Sequence, residues 1–280
     1  MDRSAPPAES PLVELNSRSN AADERSSLSK ALSLYSAYSW RGRIGLISPS
    51  TNTTLEPEFA RMTPEGVGVY VSRVFQAGRQ ELSSYQRMAD DIETASTLLA
   101  TSEIDVIAFG CTSCTYFVPA DSVRGTMKKS GRCPAILTAD AVVDALRALR
   151  LQRISVIGPR TEMVTQREIQ FLRDAGFDIA AARCLGLGMT EEERRSIGRV
   201  PPEVAYNLAL SVDRPEVDAV FISCTQLPTL SIIDRLERAL GKPVITSNQA
   251  LMWRCLKVLN IRDSIGHYGR LLAENPPHSN

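Results

Sequence analysis

Short apolar runs alternate along this chain with longer segments in which apolar side chains recur every three or four positions. Runs of the first kind are typical of buried strands, and segments of the second kind are typical of amphipathic helices. This alternation predicts an α/β protein with parallel strands and crossover helices. The predicted helices cover 84–101, 139–149, 165–175, 202–213, 231–240 and 249–259, and two further strands cover 67–73 and 177–183.

Three of the apolar runs recur in the same order in both halves of the chain. Residues 43–51, 104–112 and 134–138 match 153–161, 217–225 and 243–247. Each match alone is weak because buried strands share a small apolar alphabet, but three in register indicate a duplicated α/β unit. We predict two pseudo-symmetric doubly wound domains with parallel sheets and a site in the cleft between them. The predicted domains are 41–150, whose last helix is a candidate to pack on the other lobe, and 151–270.

Both ends of the chain differ from this pattern. Residues 1–40 are rich in Ser and Ala and show little periodicity, so we predict a disordered N-terminal extension. Its acidic residues disfavour a transit peptide, and it lacks the apolar core of a secretory signal. Residues 271–280 are predicted to form a flexible tail.

Composition narrows the possible partners. The chain is 43% hydrophobic and 23% charged, with a formal net charge of zero. A neutral chain offers no electrostatic case for nucleic acid or an anionic membrane. No apolar run approaches the roughly 18 residues that span a bilayer. We therefore expect no nucleic-acid partner, no membrane partner and a cytoplasmic location.

Six cysteines, two of them in a Cys111-x-x-Cys114 motif, are the main candidates for chemistry. Without a secretion signal we expect a reducing compartment and no structural disulfide. The spacing fits a redox dithiol or half of a zinc site, or cysteines that only pack. Zinc is disfavoured because there is no second such motif and the two histidines, His267 and His278, lie near the C-terminus. We therefore predict no metal.

Cys111 and Cys224 occupy the same place in the two repeats. Each follows an Asp, a short apolar run and a small residue, and each precedes a Thr. Open α/β folds bind ligands at the carboxyl ends of their strands. Packing alone would not require Cys-Thr at the same point of two otherwise diverged halves, so the repeat predicts a site with one thiol from each half.

Small polar residues follow both cysteines, namely Thr112, Ser113 and Thr225. Their hydroxyls and the backbone N–H groups at a helix start could hold a carboxylate or a developing oxyanion. The same helix-end field lowers the pKa of a thiol. The alternative is that these residues only cap helices.

Two further polar clusters follow predicted strands. Residues 48–54 include Ser50 and Asn52 and predict a polar cradle for a small acid, with Asn52 as the best donor; the alternative is a loop with a helix cap. Asn248, in residues 246–249, is a similar and weaker candidate. The chain has no G-x-G-x-x-G, no phosphate-binding loop and no Ser-His-Asp constellation. None of its five lysines sits in a strand-end motif, so we expect thiol chemistry without a cofactor.

These motifs resemble the aspartate/glutamate racemase superfamily, and within it the maleate isomerase and arylmalonate decarboxylase branch. The resemblance covers residues 41–270 and is carried by 49–56, 110–113 and 223–227. It implies two pseudo-symmetric α/β domains, an active site in the cleft and usually a homodimer. It also implies that Cys111 and Cys224 flank the substrate.

The activity that this resemblance implies is cofactor-independent cis–trans isomerisation of a small unsaturated dicarboxylate, of the maleate-to-fumarate type. Cys111 would act as the nucleophile and Cys224 as acid and base, and the loop around Asn52 would bind a carboxylate. Arg160 stands where this branch usually carries a Tyr. It could bind a carboxylate bidentately or point to solvent.

Three other functions stay open from the sequence. One is a two-thiol racemase of an amino acid, a hydantoin or a related carbon acid, disfavoured because Thr112-Ser113 replaces the Asn-Thr usual in amino-acid racemases. Another is a one-thiol malonate-type decarboxylase, disfavoured because both cysteines are present. The third is a non-catalytic protein that binds small acids.

Overall fold

The structure, a computed structural model, describes residues 37–278. Its strands are β1 (Gly42–Pro49), β2 (Val67–Val74), β3 (Val106–Phe109), β4 (Ala135–Leu137), β5 (Arg153–Gly158), β6 (Asp178–Cys184), β7 (Ala219–Ile222) and β8 (Val244–Thr246). Its α-helices are α1 (Leu55–Met62), α2 (Leu82–Asp90), α3 (Ile92–Ala100), α4 (Ala120–Gly131), α5 (Thr138–Ala148), α6 (Glu162–Asp174), α7 (Glu191–Ser196), α8 (Pro202–Ser211), α9 (Ile233–Leu240), α10 (Ser247–Val258) and α11 (Arg270–Glu274).

The strands form two four-stranded parallel sheets of the same topology. One sheet has the order β2-β1-β3-β4 and the other has the order β6-β5-β7-β8. The central strands β3 and β7 are buried along their whole length, as expected for strands covered on both faces. The predicted α/β fold class with two pseudo-symmetric parallel sheets is confirmed.

The duplication also extends to individual hydrogen bonds. Asp105 accepts a hydrogen bond from the backbone N–H of Arg43 at 2.9 Å, and Asp218 accepts the corresponding bond from Arg153 at 2.7 Å. In each half, therefore, the aspartate that opens the cysteine strand fixes the start of the neighbouring strand. The two halves keep this device although most of their other residues differ.

Helices from the two halves pack together and close the core between the sheets. Helix α5 lies against α10. One buried cluster contains Leu46 of the first sheet, Phe221 of the second and Trp253 of α10. The two sheets therefore share one apolar core on their facing sides. The predicted domain bounds, 41–150 and 151–270, stay a prediction.

Two segments differ from the sequence prediction. The helix predicted at 84–101 is two helices, α2 and α3, and Asp91 between them accepts a hydrogen bond from the N–H of Phe75. Part of the predicted tail is ordered, because Leu271 and Leu272 of α11 are fully buried in the core. The predicted extension 1–40 lies outside the described residues, apart from 37–40. Within the described part of the chain, no helix is long and apolar enough to cross a membrane.

Candidate active site

The two repeat cysteines lie at the ends of the central strands, as the sequence predicts. Cys111 follows β3 and Cys224 follows β7 by two residues each. They are 1% and 3% exposed, respectively. The residues just before them, Gly110 and Ser223, each donate a backbone hydrogen bond of 2.8 Å to the neighbouring strand. Both thiols are therefore buried at the carboxyl edge of their sheets.

Hydrogen bonds across the two halves bring the cysteine loops together. Thr225 donates its hydroxyl to the carbonyl of Gly110 at 2.9 Å. The hydroxyl of Ser247 accepts from both the Thr112 hydroxyl and the Cys224 N–H, each at 3.0 Å. The residues that flank one cysteine are thus bonded to the loop that carries the other.

The missing side chain of Gly110, just before Cys111, leaves room for a close neighbour. A Cβ at Gly110 would lie 2.1 Å from the Leu55 side chain, which starts α1. This close approach lets α1 pack against the end of β3 and holds the cysteine loop against the helix.

Cys224 has an unusual backbone conformation. Its φ is +96°, a region that L-residues other than glycine rarely adopt. Such a conformation costs on the order of 1–3 kcal/mol and persists where the surroundings hold it in place. The hydrogen bond from its N–H to Ser247 is one contact that holds it.

The environment of Cys111 favours the thiolate. The neighbouring Cys114 side chain is the largest influence that lowers the pKa of Cys111, to about 6, against the opposing effect of burial. The Arg160 charge and the Ser113 hydroxyl lower it further. The neighbouring Cys111 and burial raise the pKa of Cys114, so Cys114 keeps its proton. At neutral pH these contacts favour the thiolate of Cys111, which is the form of cysteine that can react as a nucleophile.

Arg160 points into the site and not to solvent. It follows β5, is 7% exposed, and donates from Nη2 to the sulfur of Cys224 at 3.3 Å. Burial opposes its charge, but the neighbouring Cys224, Tyr85 and Cys111 outweigh burial and raise its pKa. Its Nη1 is buried and has no hydrogen-bond partner among the described residues. Arg160 is thus a cation in contact with the Cys224 thiol, and its charge also acts on the Cys111 thiol. Its Nη1 can donate to a bound anion.

The Asn52 loop reaches the same place from β1. The Asn52 Oδ1 accepts from the N–H groups of Thr54 and Leu55, the N-cap and first residue of α1. Its Nδ2 donates to the Thr225 hydroxyl at 3.1 Å. One amide hydrogen remains for a substrate. Ser50 is half-buried, and its hydroxyl accepts from the N–H of Gln76 at 2.9 Å, so its main contact is with the neighbouring loop.

Ser113 and Asn248 have different surroundings. Ser113 lies 4.0 Å from the Cys111 sulfur and bonds to the hydroxyl of Tyr85. Asn248 donates from Nδ2 to buried Glu58 at 2.6 Å and to the Thr225 carbonyl at 3.0 Å. Both of its amide hydrogens are therefore used within the protein. The predicted role of Asn248 in binding a carboxylate is not supported, because only its carbonyl oxygen is free and an anion is not bound by an acceptor.

Sequence reasoning missed three buried polar residues near the thiols, namely Tyr85, Glu168 and Arg194. Each is at most 4% exposed. Tyr85 and Glu168 lie on helices whose other buried residues are mostly apolar, and Arg194 lies in a run of charged residues typical of a solvent-exposed helix. The only usable signal was helical spacing, which places Glu168 one turn after Val164 on the buried face of α6.

Glu168 supports the Cys224 loop. One of its oxygens accepts from both the Ser223 hydroxyl and the Tyr116 hydroxyl. Burial raises the pKa of Glu168 to about 7, although these two donors and Arg160 pull it down. Within residues 37–278, no group of three His, Cys, Asp or Glu side chains could hold a metal ion.

Comparison of sequences relates most of this chain to maleate isomerases. The chain is 26% identical to the maleate isomerase of Geobacillus stearothermophilus over 250 residues, which is 82% of this chain and 97% of that protein. It is 28% identical to the maleate isomerase of Nocardia farcinica over 247 residues, which is 83% of this chain and 96% of that protein.

A solved structure shares the fold. It is a cysteine-to-serine mutant of the maleate cis-trans isomerase of Nocardia farcinica with a covalently bound succinylcysteine intermediate. The TM-score is 0.76 at 24% identity, with 83% of this chain and 98% of that chain covered.

Two parallel sheets of the same order, with a buried thiol at the end of each central strand, define an α/β protein with a repeated unit. The family model and the relatives place it in the Asp/Glu racemase-like superfamily. More narrowly, the chain belongs to the arylmalonate decarboxylase family, whose model matches residues 44–272. The predicted resemblance to the maleate isomerase and arylmalonate decarboxylase branch is thereby confirmed.

Proposed function

We propose that this protein is a cofactor-independent cis–trans isomerase of a small unsaturated dicarboxylate, with maleate to fumarate as the type reaction. The observation that carries the proposal is that the loops of two buried cysteines, one from each sheet, are held together by hydrogen bonds. Arg160 donates a hydrogen bond to Cys224 and lowers the pKa of Cys111. The similarity to maleate isomerases over most of both chains supports it.

The first step uses the Cys111 thiolate. Its sulfur adds to one alkene carbon and forms a C–S bond, and the π electron pair moves to the other alkene carbon and its carboxylate. The Arg160 guanidinium and the free amide hydrogen of Asn52 stabilise this charge. Because the donors are buried and already in place, their stabilisation costs little reorganisation.

The second step uses the Cys224 thiol. It donates its proton to the carbon that carries the charge, which gives a succinyl adduct on Cys111. The former double bond is now single and can rotate. Cys224 then takes the proton back, the double bond re-forms, and the Cys111 thiolate leaves. The cycle consumes no oxidant, reductant or water, and it returns both sulfurs to their starting states.

The location and assembly are proposals as well. The unpaired cysteines of the described residues support a reducing compartment and so a cytoplasmic location. The zero net charge supports a small carboxylate, and not a nucleic acid or an anionic membrane, as the partner. We propose a homodimer on the family resemblance, and light scattering coupled to size exclusion tests it.

The test of the function is conversion of maleate by purified protein, followed by NMR of the fumarate vinyl protons. We expect turnover by the wild type, loss of at least about a thousandfold in Cys111→Ala, and nearly as much in Cys224→Ala. Cys133→Ala, which changes a half-buried cysteine outside the site, serves as the control and should stay active. Full activity in either site variant, or no conversion of maleate by the wild type, would contradict the proposal.

A further inference from the structure

A second buried arginine, Arg194, lies close enough to Arg160 to feel its charge. Arg194 belongs to α7, a short helix of charged residues, yet it is only 1% exposed. Its backbone carbonyl and that of Arg195 accept from the side chain of Gln226, at 3.3 and 3.4 Å. Gln226 is the second residue after Cys224, so this contact ties α7 to the loop of the second thiol.

The guanidinium of Arg194 has unused donors. Its Nε and Nη2 are buried and have no hydrogen-bond partner among the described residues, like Nη1 of Arg160. Burial lowers the pKa of Arg194, and the charge of Arg160 lowers it further, whereas Tyr85, Glu191 and Cys111 act in the opposite direction. The two cations and the Cys111 thiol are therefore close enough to act on one another.

The two carboxylates that act electrostatically on these cations, Glu191 on Arg194 and Glu168 on Arg160, have other partners of their own. Glu191 forms an ion pair with exposed Arg195 at 2.9 Å. Glu168 accepts from the hydroxyls of Ser223 and Tyr116. Two buried like charges with free donors are unfavourable unless an anion neutralises them. The protein leaves both cations available at the site where it holds its thiols.

We propose that Arg160 and Arg194 each receive one carboxylate of the substrate, so that the site selects a dianionic dicarboxylate. That the substrate is unsaturated rests on the proposed function. That two arginines recognise two carboxylates is argued separately, from the buried guanidinium groups. Arg160 holds the carboxylate nearer Cys224. Arg194 holds the other carboxylate, from the α7 side.

This arrangement discriminates between substrate classes. An acid with one carboxylate would leave a buried guanidinium without a counter-ion. An amino acid would bring its ammonium group toward two cations. Arg160 and Arg194 thus favour a diacid over the amino acids of the racemase alternative and over monoacids.

The test measures binding apart from turnover. In a Cys111→Ala background, isothermal titration calorimetry compares maleate with maleamate, in which a neutral amide replaces one carboxylate. We expect maleate to bind about 10- to 100-fold more tightly, as for one charge-assisted pair. Adding Arg194→Gln should remove most of that preference, with little change in maleamate binding.

Two variants guard against a folding defect. Arg199→Gln changes an exposed arginine just after the same helix, leaves the Glu191–Arg195 ion pair in place, and should leave the preference unchanged. Arg194→Lys keeps the charge and should retain part of it, and Arg160→Gln should remove the preference as Arg194→Gln does. Thermal unfolding of each variant confirms that it is folded.

The outcomes separate this inference from the function. Undiminished preference for maleate in folded Arg194→Gln overturns the inference, as does equal affinity for the two acids, or no binding of either, in Cys111→Ala. Selective diacid binding without conversion of maleate by the wild type supports the inference and contradicts the isomerase. Conversion of maleate by the wild type, together with no effect of Arg194→Gln on binding, supports the isomerase and contradicts the inference.

Discussion

The hydroxyl of Thr225 donates to the carbonyl of Gly110 at 2.9 Å, and this bond joins the residue after one thiol to the residue before the other. The same hydroxyl accepts from Asn52 at 3.1 Å. All three residues are buried. One side chain therefore fixes the relative position of both cysteine loops and of the loop that starts α1.

Replacing this hydroxyl should loosen the site and the fold together. Thr225→Val keeps the shape but leaves the Gly110 carbonyl and an Asn52 donor without partners, which should lower the free energy of unfolding by about 1–3 kcal/mol. It should also reduce kcat/KM for maleate. Urea denaturation and steady-state kinetics measure the two effects. Thr225→Ser keeps the hydroxyl and should retain most of the activity, and equal defects in Val and Ser variants would show that the bond is unimportant.

The reactivity of Cys111 should depend on pH in a defined direction. Since its pKa is lowered to about 6, the rate of alkylation by iodoacetamide should rise with pH through about 6 and then level off. Cys114 is the largest influence that lowers this pKa, so Cys114→Ala should move the midpoint to higher pH. Mass spectrometry of the peptide that contains Cys111 follows the reaction.

The control for this titration is Cys133→Ala, because Cys133 is not among the groups that act on the pKa of Cys111. Its alkylation midpoint should equal that of the wild type. A Cys114→Ala profile that coincides with the wild-type profile would show that the neighbouring thiol does not stabilise the thiolate. Maleate should slow alkylation in the wild type, since it occupies the same site.

Glu168 should make stability depend on pH. Its pKa is raised from the usual 4.5 to about 7 by burial, so the folded state favours its protonated form. Its stabilising effect is complete below about pH 4.5 and is lost as the pH rises through 7. Glu168→Gln cannot ionise and keeps an acceptor for Ser223 and Tyr116. Between pH 4.5 and 8, the free energy of unfolding of this variant should therefore rise by on the order of 3 kcal/mol relative to that of the wild type.

Denaturation at several pH values measures this difference. Glu216→Gln changes an exposed glutamate and should show no such gain. A constant offset between Glu168→Gln and the wild type at all pH values would mean that Glu168 does not titrate in this range.

The repeat made the central part of the site predictable. Cys111 and Cys224 follow corresponding strands of the two repeats, and parallel strands all end at the same edge of their sheet. The sequence could therefore locate each cysteine at the carboxyl edge of one sheet. It could not locate Arg194, because a run of charged residues has the same pattern whether one member turns inward or none does. It also could not show that the side-chain amide of Asn248 donates to Glu58, which lies 190 residues earlier in the chain. Long-range polar pairing leaves no local signal, whereas strand ends do.

The backbone conformation of Cys224 predicts that glycine is tolerated there at least as well as alanine, whereas alanine is usually the more stabilising of the two. With φ at +96°, a Cβ at this position is strained, and glycine relieves that strain. Cys224→Gly should therefore be at least as stable as Cys224→Ala, although both lack the thiol and should lack activity. Cys255 is the matched control, a buried cysteine within α10. There, Cys255→Gly should be less stable than Cys255→Ala by about 1 kcal/mol. Thermal unfolding of the four variants decides the question, and an alanine variant more stable than the glycine variant at both positions would contradict the strained backbone at Cys224.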